Sequence, residues 1–500
     1  MNTSNGPRVL AFALDAAEPT LIRRMIEQDE MPTLKALLSE GRWMSVKSPA
    51  HIGSGSVWPS FLTGGDPMAH GVYGEWCWEP DQMGVRRITG RQLTPFWKKL
   101  AENGTTVGVF DVPFMPLVGL SKGFEVSEWG PHDLLNGRVS AAPERVANLV
   151  SNQIAHPLSY DRLDAGGPDD YENLKRLASA SLDGIKLRGS LAHRLLAETH
   201  PDLSMIGFTE IHHAAHFLWH TVEPEHEVYA THGFGNLRTT KPALKEIYCE
   251  VDRQMGTLIE MFGEAAAIMV FSLHGMQPCH GIPAFLSPLL VEKGFARLAD
   301  WNSQSWTERV IALIAAAKRR SPAALRKLYY RAMPATATQR LARPTMMPAY
   351  DWNHTRAFSL PSDQHGWIRV NLKGREASGI VPMERYKDLC QELEQLIRSL
   401  TTEDGKLLAR NVIRTAERGE DAIGLRIPDL VVHWENEAFR APLRIRDSLV
   451  VSQPVGRKFN GQHALEGFCV LRGAADLHEG DSIRAEDIHR VMCKALQGRS

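Results

Sequence analysis

Two histidine-centred motifs, each following a strand-like run, carry the chemistry of this 500-residue chain. Glu210-Ile211-His212-His213-Ala214-Ala215-His216 follows Leu203–Phe208, and Ser272-Leu273-His274-Gly275 follows Ala266–Phe271. Neutral imidazole is a common metal ligand, and the carboxyl ends of strands are where an α/β sheet assembles its active-site crevice. Upstream, Val9–Leu14 reads as a strand ending in Asp15, and Ser54-Gly55-Ser56-Val57-Trp58-Pro59 reads as a helix start. A hydroxyl at a helix start, an aspartate at a strand end and distant histidines predict a metal-assisted nucleophile acting on an anionic ester.

His212 and His216 are four apart and share one face if their segment is helical. One further ligand would complete a three-ligand site of the zinc type, with a position open for substrate. His463, in the glycine-bounded loop Gly461-Gln462-His463-Ala464-Leu465-Glu466-Gly467, is nominated for that place. His213 points elsewhere and reads as a supporting or surface residue. Asp15 reads as a metal ligand, with helix capping as the plainer alternative. Ser54 is the expected nucleophile and Ser56 its rival. Pro59 suits the first helical turn, where its missing N–H costs little, so Ser54 falls at or just before the cap.

These residues need a framework. Strand-like and helix-like runs alternate: helices over Pro19–Glu40, Trp58–Leu62, Phe96–Asn103, Leu174–Glu198, Ala243–Phe262 and Met383–Leu400, strands over Val107–Phe110, Ala357–Leu372 and Asp429–Trp434. The pattern predicts a doubly wound α/β fold, a largely parallel sheet with helices on both faces. Residues 309–350 hold nine Lys or Arg and no acid, and read as an inserted basic cap between core segments 1–308 and 351–500. Its plainest reading is a solvated helix pair.

Composition is that of a globular chain, 43% hydrophobic and 23% charged, and a net charge of −1 gives no global pull toward nucleic acid or anionic membrane. Six scattered cysteines without a CxxC pair fit free thiols, and no run approaches a bilayer span. A cytoplasmic protein with a small anionic ester substrate is expected, without a nucleic-acid partner; an oligomer is compatible.

The ordered set resembles the alkaline phosphatase superfamily, most closely its type I phosphodiesterase/nucleotide pyrophosphatase and phosphohydrolase/phosphomutase branch. The resemblance rests on Asp15, on Ser54 four residues before Trp58, and on Asp66-Pro67-Met68-Ala69-His70-Gly71. It continues through Phe96-Trp97 to Asp111-Val112-Pro113, Asp351-Trp352 with Thr355-Arg356-Ala357, Asn371 to Arg375, Pro428-Asp429 and the His463 loop. It implies an alkaline phosphatase-like fold and one or two divalent metals, zinc or manganese. Asp15, Ser54 and His274 would hold one ion, with Ser54 as nucleophile; His212, His216 and His463 would hold the other.

The chain departs from that pattern where His212 replaces an aspartate and where Leu273 replaces the aspartate of the Ser-Asp-His-Gly motif. Leucine cannot ligate. Of three carboxylates only Asp15 remains, so one tight ion and a weaker or missing second are expected. Glu210, Asp363, His280 and His365 are candidates to compensate. The resemblance favours a phosphodiesterase or pyrophosphatase over a monoesterase. Alternatives on the same scaffold are a sulfatase, phosphonate hydrolase or phosphoryl transferase, or a degenerate member that binds an anion or partner without turnover. The sulfatase maturation pattern is disfavoured, because Ser56-Val57-Trp58-Pro59 lacks its arginine.

Overall fold

A computed structural model of the chain describes residues 8–131, 139–151, 155–158, 171–232, 242–263, 266–281, 284–300, 306, 309, 346–362, 364–440, 443–448, 451–452 and 459–497. Residues 310–345 of the expected basic cap, and Asp363, lie outside them.

Val9–Leu14 has six consecutive buried apolar residues, as a strand covered on both faces requires. It lies inside a nine-stranded sheet with parallel neighbours on each side, Leu203–Phe208 and Ala267–Ser272. Val107–Phe110 and Phe124–Ser127 extend the parallel set, and Ser140–Ala142 closes that edge antiparallel. On the other side Glu466–Arg472 is antiparallel both to Ala267–Ser272 and to Gly41–Lys47, which in turn pairs parallel with Ser482–Arg484.

Alternation along Val9–Leu14 divides the core. Leu10, Phe12 and Leu14 join the apolar cluster of helices Tyr171–Thr199 and Ala243–Phe262. Val9, Ala11 and Ala13 join the cluster of helices Val57–Thr63 and Ile488–Gln497. Helices on both faces of a mostly parallel sheet are the doubly wound α/β arrangement expected. Among the described residues no helix is long and apolar enough to cross a membrane, and all six cysteines are free thiols.

Two expectations are corrected. The helix expected over Pro19–Glu40 is two helices, Pro19–Glu27 and Pro32–Glu40, with Asp29 left-handed between them (φ 57°). Pro32 explains the break: it lacks an N–H and disfavours helical backbone at the residue before it. The strand-like stretch Ala357–Leu372 is a hairpin, Ala357–Leu360 antiparallel to Gly366–Val370. With Leu430–Trp434 and Ala409–Arg414 it forms a four-stranded antiparallel sheet that has an apolar core of its own.

Many of the residues that carry the resemblance are scaffolding. Asp66 caps its short helix by accepting from Ala69 N (2.9 Å). In the antiparallel lobe Arg375 donates to both oxygens of buried Asp429 (2.7 Å each), which also accepts from Val370 N and Tyr386 Oη.

Candidate active site

Ser54 follows from a tight approach of two backbones. It occupies a single turn, Ser54–Ser56, that leads into helix Val57–Thr63. A Cβ on Gly53 would stand 2.1 Å from Tyr73 O, and one on Gly55 2.5 Å from the Gly74 Cα, so only glycine fits on either side of the serine. Ser54 is half-buried, whereas Ser56 is fully buried. The Ser56 hydroxyl is committed to two main-chain carbonyls, Pro49 O at 2.9 Å and Gly53 O at 2.6 Å.

Three long-range bonds hold this loop. The carbonyls of Ala50, His51 and Ile52 accept from His365 Nε2 (2.9 Å), His433 Nε2 (2.7 Å) and Trp367 Nε1 (2.8 Å), all on the antiparallel lobe. His365 therefore supports the Ser54 loop rather than standing in for a missing metal ligand.

The histidines come together at the strand ends. Thr209 and helix Glu210–Leu218 follow the Leu203–Phe208 strand, which puts His212 and His216 on one face, 2.9 Å apart between Nε2 atoms. His463 arrives on the strand Gly461–Ala464, which pairs antiparallel with Gly275–Pro278 so that it lies opposite Met276. Its Nε2 is 2.8 Å from His212 Nε2. His274 completes a cluster of four imidazoles, its ring centroid 4.7 Å from that of His463. His213 lies against Phe217 (5.4 Å between ring centroids) and is not among the converging set.

Hydrogen bonds set the tautomers. The negative charge of Asp15 Oδ2, 2.9 Å from His212 Nδ1 in an ion-pair contact, favours the proton on that nitrogen. Carbonyl oxygens can only accept, so His216 Nδ1 donates to Gly461 O (2.8 Å) and His274 Nδ1 to Gly275 O (3.1 Å). Each then keeps a lone pair on Nε2. Burial, followed by the His212 and His463 charges, puts the proton affinity of His216 well below the ordinary imidazole range. For His274, burial first and then His463 bring the value down to about 3, despite Asp15. These are neutral imidazoles at pH 7.

With both Nδ1 atoms protonated, the Nε2 lone pairs of His212 and His216 would face each other across 2.9 Å. A cation resolves that repulsion. A tetrahedral site with metal–nitrogen bonds of about 2.0–2.1 Å has ligand edges of about 3.3–3.4 Å, a few tenths wider than the observed spacing. The residues fit such an ion, and the acceptors on Nδ1 match the way metal-binding histidines are oriented.

The second expected set is thinner. Asp15 Oδ1 is 3.9 Å from His274 Nε2, but that oxygen already accepts from Trp58 Nε1 (2.9 Å). Leu273 is fully buried in the apolar cluster that includes Val57 and Trp58. Leu273→Asp is therefore expected to cost several kcal/mol of stability, as a carboxylate enters that core. Added divalent metal should recover part of the loss, seen as a metal-dependent rise in Tm larger than that of the native chain.

The compensating carboxylate is not Glu210. Its side chain is buried beneath the helix start, taking Arg188 Nε at 2.8 Å and His156 Nε2 at 3.1 Å. Arg188 in turn binds Asp111 (2.8 Å), so the trio fixes the helix that presents His212 and His216. Nor is it His280, which is engaged by Glu227 (2.8 Å) and faces Glu437 (3.4 Å). Neighbouring His226 uses both ring nitrogens, toward Val228 N and Cys279 O, and Arg440 supplies the positive charge between the two glutamates. His226, Glu227 and His280 thus converge as a second His/Glu group, in which His280 Nε2 has, among the described residues, only the Glu437 ion-pair contact at 3.4 Å.

Spacing made the paired histidines legible. The orienting role of Asp15 and the loop-holding roles of His365 and His433 had no local signal, because their partners lie far away in sequence.

Among solved structures the chain is similar to phosphonoacetate hydrolase from Sinorhizobium meliloti 1021 in complex with phosphonoformate. The identity is 14%, covering 98% of this chain and 95% of that one, with a TM-score of 0.54. It is also similar to a murine ectonucleotide pyrophosphatase/phosphodiesterase 5, an inactive form in complex with AMP, at 12% identity over 98% and 95% and a TM-score of 0.46. No curated protein matches. The family model for type I phosphodiesterase/nucleotide pyrophosphatase matches residues 9–442, so Asp15, the Ser54 turn and the motifs of His212, His216 and His274 fall inside the match while His463 lies beyond it. With that model spanning most of its length, the chain belongs to the type I phosphodiesterase/nucleotide pyrophosphatase family.

Proposed function

We propose that this chain is a metal-dependent hydrolase of phosphate esters, favouring phosphodiesters or pyrophosphates over monoesters, and that it works through a covalent phosphoserine on Ser54. Family membership supports phosphoryl-ester hydrolysis. The observation that supports the metal is the convergence of the Nε2 atoms of His212, His216 and His463, with His212 2.9 Å from His216 and 2.8 Å from His463. His212, His216 and His463 would hold a divalent ion; three imidazoles suit zinc, and manganese is the alternative that the family resemblance implies. Such an ion, when bound, supplies Lewis-acid polarisation of a phosphoryl oxygen.

The chain's own residues do the rest. Ser54 Oγ gives up its proton and forms the bond to phosphorus while the ester oxygen leaves with its electron pair and takes up a proton; water later cleaves the Oγ–P bond, one of its protons returning to Oγ. Asp15 holds the His212 ring in the tautomer that exposes Nε2, and Trp58 holds Asp15. Buried His274 stays unprotonated and free to act as a ligand through Nε2.

One tightly bound transition metal per chain is the expected result of elemental analysis on purified protein, and His216→Ala should lose most of it. Two equally tight ions would mean that another residue replaces the missing carboxylate. None, even after supplementation, would favour an anion- or partner-binding protein.

A further inference from the structure

We propose that the chain holds a further metal site, built from His226 Nδ1, a Glu227 carboxylate oxygen and His280 Nδ1, which takes a divalent transition ion as a structural brace. Two imidazoles and a carboxylate suit zinc. The site shares no ligand with the cluster of His212, His216 and His463, and the inference does not depend on the hydrolase reading.

His280 is fully buried between two carboxylates. Its Nδ1 is 2.8 Å from Glu227, and its Nε2, 3.4 Å from Glu437, makes no hydrogen bond among the described residues. A neutral ring has one N–H, so one of the two nitrogens would turn a lone pair toward a carboxylate. An ion on the Nδ1 side removes that conflict. Nδ1 then gives its lone pair to the ion, and the ring proton sits on Nε2, facing Glu437. That is the arrangement in which metal-binding histidines are commonly held, with a carboxylate on the outer nitrogen.

His226 is oriented in the same way. Val228 N can only donate, and does so to His226 Nδ1 (3.1 Å), so the ring proton sits on Nε2 and is given to Cys279 O (3.2 Å). Burial lowers the proton affinity of this imidazole against the pull of Glu227, which leaves the ring neutral. Its lone pair lies on Nδ1, 3.9 Å from Glu227 Oε2, while the same oxygen is 2.8 Å from His280 Nδ1. Those two distances bracket the edge of about 3.3–3.4 Å that a tetrahedral zinc site requires. The rings stack 26° from parallel with centroids 5.1 Å apart, and a donor atom from each of the three residues lies within 4.8 Å of the other two.

Two groups compete with this ion and make it weaker than the one at the imidazole cluster. Val228 N–H engages the His226 lone pair, and Arg440 Nη1 lies 3.6 Å from the Glu227 carboxylate. What the ion joins gives its purpose. Glu227 begins the helix Glu227–His232, with His226 just before it, and His280 lies two residues beyond Gly275–Pro278, the strand paired with the one that carries His463. Glu437, behind His280, belongs to the turn Asn436–Phe439, which follows the Leu430–Trp434 strand of the antiparallel lobe. An ion here braces the ribbon that presents His463 against two other parts of the fold.

The test titrates cobalt(II), followed by its visible absorption, into the full chain carrying His212→Ala and His216→Ala, which disables the imidazole cluster. One equivalent should still bind with a four-coordinate spectrum, and zinc should displace it. Glu227→Gln keeps a hydrogen-bonding group beside His280 but removes the ligand charge. It should weaken uptake by more than the about 10–100-fold expected of Glu437→Gln, which touches only the outer nitrogen. Arg440→Ala, by removing the competing cation, should tighten the ion. In the otherwise native chain the same site appears as a second, weaker equivalent that Glu227→Gln abolishes, a comparison that holds even if the double variant does not fold. Absence of any saturable uptake beyond the imidazole cluster would overturn the site and leave a proton on His280 in the ion's place. Uptake unchanged by Glu227→Gln would overturn it as well, by putting the second ion elsewhere.

Discussion

Replacing Ser54 by alanine is expected to lower turnover of phosphate esters on the order of 10⁴-fold or more, since removing a nucleophile leaves only binding and electrostatic assistance. Binding of the anion should survive or tighten. The wild-type chain, quenched in acid during turnover, should yield a phosphorylated peptide containing Ser54. Ser56→Ala should keep the chemistry and lose stability. That loss does not come from helix capping, because the Ser56 side chain makes no cap bond. It comes instead from the hydrogen bond its one buried hydroxyl proton shares between Pro49 O and Gly53 O, about 0.5–1.5 kcal/mol net, since each carbonyl also accepts a backbone N–H. Phosphate recovered on Ser56, or full turnover by Ser54→Ala, would point to a different attacking group.

The second large effect is on stability. Asp429→Ala should destabilise the chain by about 3–5 kcal/mol, because it leaves two buried guanidiniums, Arg369 and Arg375, with Glu376 as their one carboxylate among the described residues. Burial alone would raise the proton affinity of Asp429, but Arg375, Arg369 and Val370 N hold its carboxyl below the usual carboxylate range. The sign of the pH dependence follows. A depressed native pKa gives stability that is fully present above the unfolded value, about 3.9, and is lost as pH falls through the native one. Denaturant unfolding should therefore show the full penalty at pH 7 and a shrinking one below about pH 4. A constant penalty across that range would mean packing, not charge, is what Asp429 supplies.

Short-range regularities were the legible part of this protein. Continuous apolar runs marked Val9–Leu14 and Leu203–Phe208 as covered strands, and the four-residue spacing of His212 and His216 gave a shared helix face. Pro59 and Gly64 bracketed the helix behind Ser54. Long-range pairing was not legible. Nothing around Glu210 announces that Arg188 and His156 bury it away from the metal ligands, nor around His433 that it bonds the loop before Ser54. The hairpin of the antiparallel lobe did have a local signal, Pro361-Ser362-Asp363 to Gly366, which punctuates the run; its pairing with Leu430–Trp434 did not.

The place of Glu466–Arg472 in the sheet sets the order in which the chain can fold during synthesis. This strand lies between Gly41–Lys47 and Ala267–Ser272, and the other neighbour of Gly41–Lys47, Ser482–Arg484, comes later still. At ribosomal speeds of about 5–20 residues per second, more than 400 residues separate the making of Gly41–Lys47 from its first partner, on the order of 20–80 s. Throughout that interval the strand presents unpaired backbone, and His212 waits on His463, 251 positions away. A nascent chain therefore has neither a joined sheet nor a finished imidazole cluster until nearly all of it has been translated. Its unpaired edge is where a chaperone, or a neighbouring nascent chain, would first take hold.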